Sequence, residues 1–393
     1  MRRIRSTFAS ALVGATLLSL SLSGIAIGAD WGEPVTIWSS SAETYNKFHS
    51  WPVGLVTAGG SALVASYGET VAETGATDIY VVRSADGGLT WQPRVRVSRP
   101  GSATRDSWAR SISSYGTAVD VAWLEDSANR GIRYSRSLDG GVTFSPSISL
   151  SGGSGSYPDV ARGPNGLVVV AWNAFNKGKL FIRVSHDGGA TFDSKRALWS
   201  GHYDHNPSFS VAVGDGIVYA GVGLPGEGVL VRKSIGGSSW SASTQLAYAG
   251  SGALGFQLVA EGQRVYLGYT KPTATGSAPW VRRSINGGAT WSAGVKIAPG
   301  NDALAWPRMN LSGGVVRVTY GRTVTTTNPA TTEVFYQQSS DGTTWSTPTS
   351  VSTTPANYSI PIGVAHGDHT VVAYKHWAPV HYSGDIQVRV GTD

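Results

Sequence analysis

Ser84-Ala-Asp86-Gly-Gly88-Leu-Thr90-Trp91 lies between two extended runs, Ile79-Tyr-Val-Val-Arg83 and Trp91-Gln-Pro-Arg-Val-Arg-Val97. The same box returns as Ser137-Leu-Asp139-Gly-Gly141-Val-Thr143-Phe144, Ser185-His-Asp187-Gly-Gly189-Ala-Thr191-Phe192 and Ser284-Ile-Asn286-Gly-Gly288-Ala-Thr290-Trp291. Two forms are one residue shorter, Ser234-Ile-Gly236-Gly-Ser-Ser-Trp240 and Ser339-Ser-Asp341-Gly-Thr-Thr-Trp345. In each box glycine tolerates positive φ, the Asp or Asn side chain can bond nearby amides, and the aromatic residue can fold back under the chain. The box therefore reads as a hairpin turn. Two further apolar runs precede a box, for example Ala118-Val-Asp-Val-Ala-Trp123 ahead of Ser137 and Gly166-Leu-Val-Val-Val-Ala-Trp172 ahead of Ser185, giving four strands per unit. Successive box serines stand 53, 48, 49, 50 and 55 residues apart. A period of about 50 residues is that of one propeller blade.

The chain ends set the number of blades. Ile386-Gln-Val-Arg-Val-Gly391-Thr-Asp393 matches Ile79-Tyr-Val-Val-Arg-Ser84-Ala-Asp86, so the sequence stops at the aspartate of a seventh box. Trp31-Gly-Glu-Pro-Val-Thr-Ile-Trp38 reads like the strand that follows every other box. The expected fold is all-β: a seven-bladed β-propeller of four-stranded blades in which an N-terminal strand completes the last blade. Closure of the ring removes free sheet edges and makes residues 30–393 one domain.

The 393 residues include no cysteine, which excludes disulfides, thiolate metal sites and a cysteine nucleophile. Fifty-one glycines, 14 tryptophans, 16 tyrosines and only 14% charged residues favour sheets and turns over solvated helices. Arg2, Arg3 and Arg5 precede an apolar stretch that ends in small residues near Ala29, the pattern of a cleaved secretory signal over residues 1–29. The expected location is therefore outside the cytoplasm, extracellular or periplasmic. The formal charge is +6, and the three leader arginines account for half of it, so the charge makes no case for nucleic acid. No later stretch is apolar enough to span a membrane.

The boxes resemble the Asp-box, or bacterial neuraminidase repeat, of the sialidase-like superfamily. The resemblance runs over about residues 31 to 393 and implies the propeller fold; it implies little about activity. In such proteins the box resembles a structural turn facing away from the active site, so Asp86, Asp139, Asp187 and Asp341 are expected to be turn residues. The Arg-Ile-Pro motif of sialidases has no counterpart here, where the chain reads His49-Ser-Trp51-Pro52-Val-Gly, and those sialidases resemble six-bladed rings. A true sialidase is not expected.

Sites belong on the face opposite the boxes, built by the loops entering each innermost strand and those after each second strand. Blade by blade these positions hold Trp51, Tyr67 and Glu69; Asp106, Trp108, Arg110, Trp123 and Glu125; Tyr157, Asp159, Trp172 and Asn173; then His202, Asp204, His205 and Asn206. Tyr269 and Lys271, Trp306 with Arg308, Tyr320 and Arg322, and Tyr358 with Tyr374, Lys375, His376 and Trp377 complete the set. Aromatic faces stack on sugar rings and arginines grip carboxylate or sulfate, so a carbohydrate, an acidic polysaccharide in particular, is the expected partner of a monomeric protein. Inner-strand aromatics also fill the space between blades, and Trp123 and Trp172, closing apolar second strands, are expected to pack.

The substrate-binding candidates are Trp51, Trp108, Arg110, Asn206, Trp306, Arg308, Arg322 and His376. The catalytic candidates are Asp106, Glu125, His205 and Tyr358. A hydrolase would draw two carboxyl groups, or one with a tyrosine nucleophile, from Asp106, Glu125, Glu69 and Tyr358. A lyase would neutralise a uronate with Arg110 or Arg308 and take the neighbouring proton with His205 and a tyrosine. The His205-Asn206-Pro207 stretch resembles a motif of seven-bladed ulvan lyases, over four residues or fewer; a loop with Asn206 capping a turn explains it equally well. No cofactor is expected, and the spacing of His202, Asp204 and His205 fits no metal motif. His366 and His369 flank Gly367-Asp368 and read as a surface turn. The competing class is a non-catalytic glycan- or protein-binding scaffold.

Overall fold

The computed structural model describes residues 30–39, 52–70, 77–99, 110–125, 131–153, 155–174, 178–200, 208–224, 226–247, 255–273, 276–298, 307–325, 331–352, 358–377 and 384–392. They form seven antiparallel blades. Blade 1 runs through Pro52–Thr57, Leu63–Thr70, Thr77–Ser84 and Val95–Arg96, and blades 2 to 6 repeat this order outward from inner strands Arg110–Tyr115, Ser156–Arg162, Ser208–Gly214, Phe256–Glu261 and Arg308–Ser312. Blade 7 contains Tyr358–His366, Thr370–Trp377 and Gly384–Thr392, and its outer edge is covered by the N-terminal strands Asp30–Trp31 and Val35–Ser39, which pair with Gly384–Thr392. The N-terminal strand thus closes the last blade. Arg389 secures the closure: its Nη2 donates to Trp31 O at 2.9 Å and its Nε to Gly32 O at 2.6 Å. Each inner strand packs on that of the next blade, and blade 7 packs on blade 1. There the backbones come so close that a Cβ on Gly363 would lie 2.9 Å from Leu55 N.

The boxes form the predicted turns by one repeated set of bonds. Ser84 Oγ donates to Asp86 Oδ1 at 2.7 Å and accepts from Gly88 N at 2.8 Å, while Asp86 Oδ1 accepts from Thr90 N at 2.9 Å. Gly87 and Gly88 take φ of 74° and 96°, a region glycine enters without steric cost. Ser137 with Asp139 and Ser185 with Asp187 repeat the pattern, and Asn286 performs it without a charge. The boxes of blades 2 to 6 are also held by the blade before them: Arg83 Nε donates to Gly140 O at 2.9 Å, Arg136 Nη1 to Gly188 O, Arg196 Nη1 to Ser238 O at 2.7 Å, Lys233 Nζ to Gly287 O at 2.7 Å and Arg283 Nη1 to Asp341 O.

Hydrogen bonds from Thr90 and Ser84 hold the Asp86 carboxyl down to about 2. Asp139 also lies at about 2, where partial burial acts upward but the bonds from Ser137 and Thr143 prevail. Groups depressed on folding stabilise the native state above their unfolded value of about 3.9 and lose that contribution as pH falls through the folded value. The melting temperature is therefore expected to drop between about pH 4 and pH 2. A double variant with Asp86→Asn and Asp139→Asn, imitating Asn286, should show a shallower drop in thermal scans over that window.

A second repeat sets the cores between blades. At one register of the second strand a small residue precedes a large one: Ser66-Tyr67, Ala122-Trp123, Ala171-Trp172, Gly268-Tyr269, Thr319-Tyr320 and Ala373-Tyr374. The six aromatic side chains are buried and each joins the cluster shared with the preceding blade, Trp123 against Val64, Ile79 and Val81 and Trp172 against Ile132 and Tyr134. The small partners admit the inner strand of the following blade, as where a Cβ on Gly268 would meet Met309 Sδ at 2.7 Å. Trp123 and Trp172 are packing residues, as their place in the sequence predicted.

Candidate functional site

The strand registers line up one residue per blade around the central channel: Gly54, Ser111, Asp159, Ser210, Gln257, Arg308 and Gly363. Four of these side chains each reach a backbone amide of the next inner strand. Ser111 Oγ accepts from Val160 N at 3.2 Å, Asp159 Oδ2 from Val211 N at 2.8 Å, Ser210 Oγ from Leu258 N at 3.1 Å and Gln257 Oε1 from Met309 N at 2.7 Å. Ser111 also donates to Asp159 Oδ1 at 2.7 Å. The belt satisfies amides that would otherwise line the channel unpaired.

Arg308 occupies the sixth belt position, and a guanidinium cannot accept from an amide. Among the described residues it makes no hydrogen bond or ion pair, and its electrostatic partner is Asp159, three blades away across the channel. Both side chains are half-buried, deep in the ring yet open to the channel. Burial pushes the Arg308 guanidinium below its ordinary value and Asp159 acts the other way. Burial raises the Asp159 carboxyl, while Val211, Ser111, Ser210 and the Arg308 charge oppose that rise. The glycines at the blade 7 and blade 1 positions leave no side chain next to Arg308 on that side of the belt.

Beyond the buried aromatics, the ends of the second strands carry charge. Blades 1 and 2 contribute carboxylates held by arginines of their own blades: Glu69 pairs with Arg94, and buried Glu125 meets Arg133, Nε to Oε2 at 2.8 Å. Blades 5 to 7 contribute cations. Lys271 Nζ lies 5.0 Å from the Trp280 ring centroid, the Arg322 guanidinium 5.7 Å from that of Phe335, and Lys375 is buried in the inner part of blade 7. Burial lowers the half-buried His376 imidazole, with Asp385 acting in the opposite sense, so a neutral ring is favoured near neutral pH.

Of the sequence candidates, the structure brings Arg308, Arg322, His376 and Glu125 to the same end of the ring. Arg110 opens the inner strand of blade 2 opposite Trp123, and Tyr358 opens that of blade 7 opposite Trp377; both are placed by backbone alone. Trp51, Asp106, Trp108, His205, Asn206 and Trp306 lie outside the described residues, as do His202 and Asp204. Ser111, Ser210 and Gln257 were not foreseen from the sequence as belt members. Their signal is their register opposite a small residue of the second strand, Ala122, Gly221 and Gly268 respectively, although in blade 4 that residue precedes Val222 and not an aromatic. His366 and His369 lie at the hairpin on the box side, where His366 Nδ1 is 3.0 Å from Thr370 Oγ1.

No protein-family model matches the chain, and no curated protein matches it either. Solved structures do resemble it. An ulvan lyase of polysaccharide lyase family PL25 superposes with a TM-score of 0.60 at 13% identity, covering 92% of this chain and 94% of its own, and that lyase has also been solved bound to -[GlcA(1-4)Rha3S]-. The BP39L lectin of Burkholderia pseudomallei gives a TM-score of 0.60 at 13% identity over 85% of this chain and 95% of its own. A further polysaccharide lyase, Uly1, gives 0.52 at 10% identity over 84% and 88%. At these identities the likeness is one of fold. The class so defined is a seven-bladed β-propeller whose structural neighbours include polysaccharide lyases and a lectin.

Proposed function

We propose that the protein is a secreted Asp-box propeller that binds an acidic polysaccharide at the channel end opposite the boxes, with Arg308 engaging a carboxylate or sulfate. Arg308 carries this reading: its donors are not committed to another described residue, and it is held deep enough for its charge to be weakly screened. The cations of blades 5 to 7 extend the same side of the rim, and the carboxylates of blades 1 and 2 are already held by arginines. Neighbours that act on or bind carbohydrate support the class of ligand.

If the bound uronate is also cleaved, elimination fits the residues better than hydrolysis. A guanidinium on the carboxylate lowers the cost of removing the adjacent proton, and His205 is the candidate base. Glu125, tied to Arg133 inside its blade, is the weaker candidate for acid–base work. Arg308→Ala is expected to weaken binding of a uronate polysaccharide roughly 10- to 100-fold, the range of one hydrogen-bonded charge. The melting temperature should stay close to wild type, because Arg308 supports no other described residue by a hydrogen bond. Unchanged affinity in titration calorimetry would remove Arg308 from the site.

A further inference from the structure

A second cleft, of about 250 Å³, opens between blades 4 and 5 on the box side of the ring, away from the channel mouth. Tyr219, Arg232, Lys233, Thr244, Ala289 and Trp291 line it. Tyr219 is fully buried, and its hydroxyl has no hydrogen-bond partner among the described residues. Three other buried tyrosines are satisfied, Tyr134 donating to Asp120, Tyr320 to Gln337 at 2.9 Å and Tyr336 to Gln338 at 2.8 Å, while the Tyr374 hydroxyl also has no partner among the described residues. A buried hydroxyl without a partner costs roughly 1–3 kcal/mol, and a ligand in the cleft would relieve that cost.

The rest of the lining fits one ligand chemistry. Trp291 packs by one side on the blade 4–5 core and remains half-exposed, so an aromatic surface borders the cleft. Lys233 Nζ donates to Gly287 O at 2.7 Å and has further N–H groups to give. The Arg232 guanidinium sits 4.9 Å from the Trp199 ring centroid, with Nη1 on Leu198 O at 2.9 Å and a buried Nε that bonds no described residue. An aromatic face, a hydroxyl that donates and accepts, and two cationic donors surround a space smaller than a drug-sized pocket. We infer that this cleft binds a single pyranose residue of a glycan, its ring against Trp291 and its hydroxyls on Tyr219 and Lys233. Burial, with the charge of Asp215, pushes the Tyr219 phenol up to about 12, so it remains a donor at physiological pH.

The test is titration calorimetry of the whole protein with the methyl glycosides of glucose, galactose, mannose, rhamnose and glucuronic acid. Saturable binding of at least one is expected; binding of glucuronide alone would show that Arg232 and Lys233 select a charged ring, and binding of neutral glycosides that the ring suffices. Tyr219→Phe should weaken that binding about fivefold while leaving the melting temperature unchanged or higher. Ala289→Phe, placed at an exposed position on the rim, should abolish it, and Arg308→Ala should leave it intact. Binding lost in Arg308→Ala but kept in both cleft variants would assign it to the channel and overturn the cleft. Absence of saturable heat with every glycoside would overturn it as well.

Discussion

Replacing Asp120 with alanine is expected to destabilise the protein by about 3–5 kcal/mol, read as a fall in the denaturant midpoint. Asp120 is fully buried in the second strand of blade 2 and accepts from Arg162 of blade 3 through both Nε and Nη2, the latter at 2.8 Å, and from the Tyr134 hydroxyl. Arg162 Nη2 also donates to Gly188 O at 3.0 Å, so one guanidinium joins two blades and a box turn. Alanine would leave that guanidinium buried against an unbonded phenol, which costs far more than the pair contributes over an apolar alternative. The alternative is present in the chain: Val64, Val169 and Val371 stand at the matching register of blades 1, 3 and 7. Asp120→Val combined with Arg162→Leu and Tyr134→Phe should accordingly recover most of the loss. A single variant that melts like wild type would show that the network contributes little.

Trp172→Ala is expected to cost about 3–5 kcal/mol by opening a cavity between blades 2 and 3. Trp172 is fully buried among Ala122, Leu124, Ile132 and Tyr134, and its ring lies 6.2 Å from that of Phe181. Its Nε1 bonds no described residue, so Trp172→Phe removes volume but no hydrogen bond. The phenylalanine variant should lose less than half as much, since Tyr67, Tyr269, Tyr320 and Tyr374 do the same work with one ring. Equal losses for alanine and phenylalanine would mean that the indole makes a polar contact the packing account omits.

The blades were legible because their punctuation is local. A box takes glycine at positive φ, a serine, in five of six boxes an Asp or Asn two residues on, and an aromatic at its end, all within eight residues of chain. The packing role of Trp123 and Trp172 was legible for a related reason, since each ends an apolar run whose every second residue must face a neighbour. The contacts between blades were not. Arg83 on Gly140 O, Asp120 with Arg162, and Asp159 on Val211 N join residues about one repeat apart, and only the hairpin registers bring them together. Arg308 could be named from its place at the start of an inner strand. That it faces Asp159 from three blades away depends on ring closure, which no stretch of sequence contains. Six other candidates, Trp51, Asp106, Trp108, His205, Asn206 and Trp306, lie outside the described residues.

The most direct test of acidic-glycan recognition is titration of the protein with a sulfated uronate polysaccharide and with a neutral polysaccharide of similar length, following reducing ends and the ultraviolet absorbance of unsaturated uronate in the same samples. Binding of the acidic polymer alone, weakened by salt and by Arg308→Ala, is the predicted result; absorbance rising with reducing ends would identify elimination, reducing ends alone hydrolysis, and neither a binding protein. Equal binding of the neutral polymer, or no binding of either, would contradict recognition through Arg308.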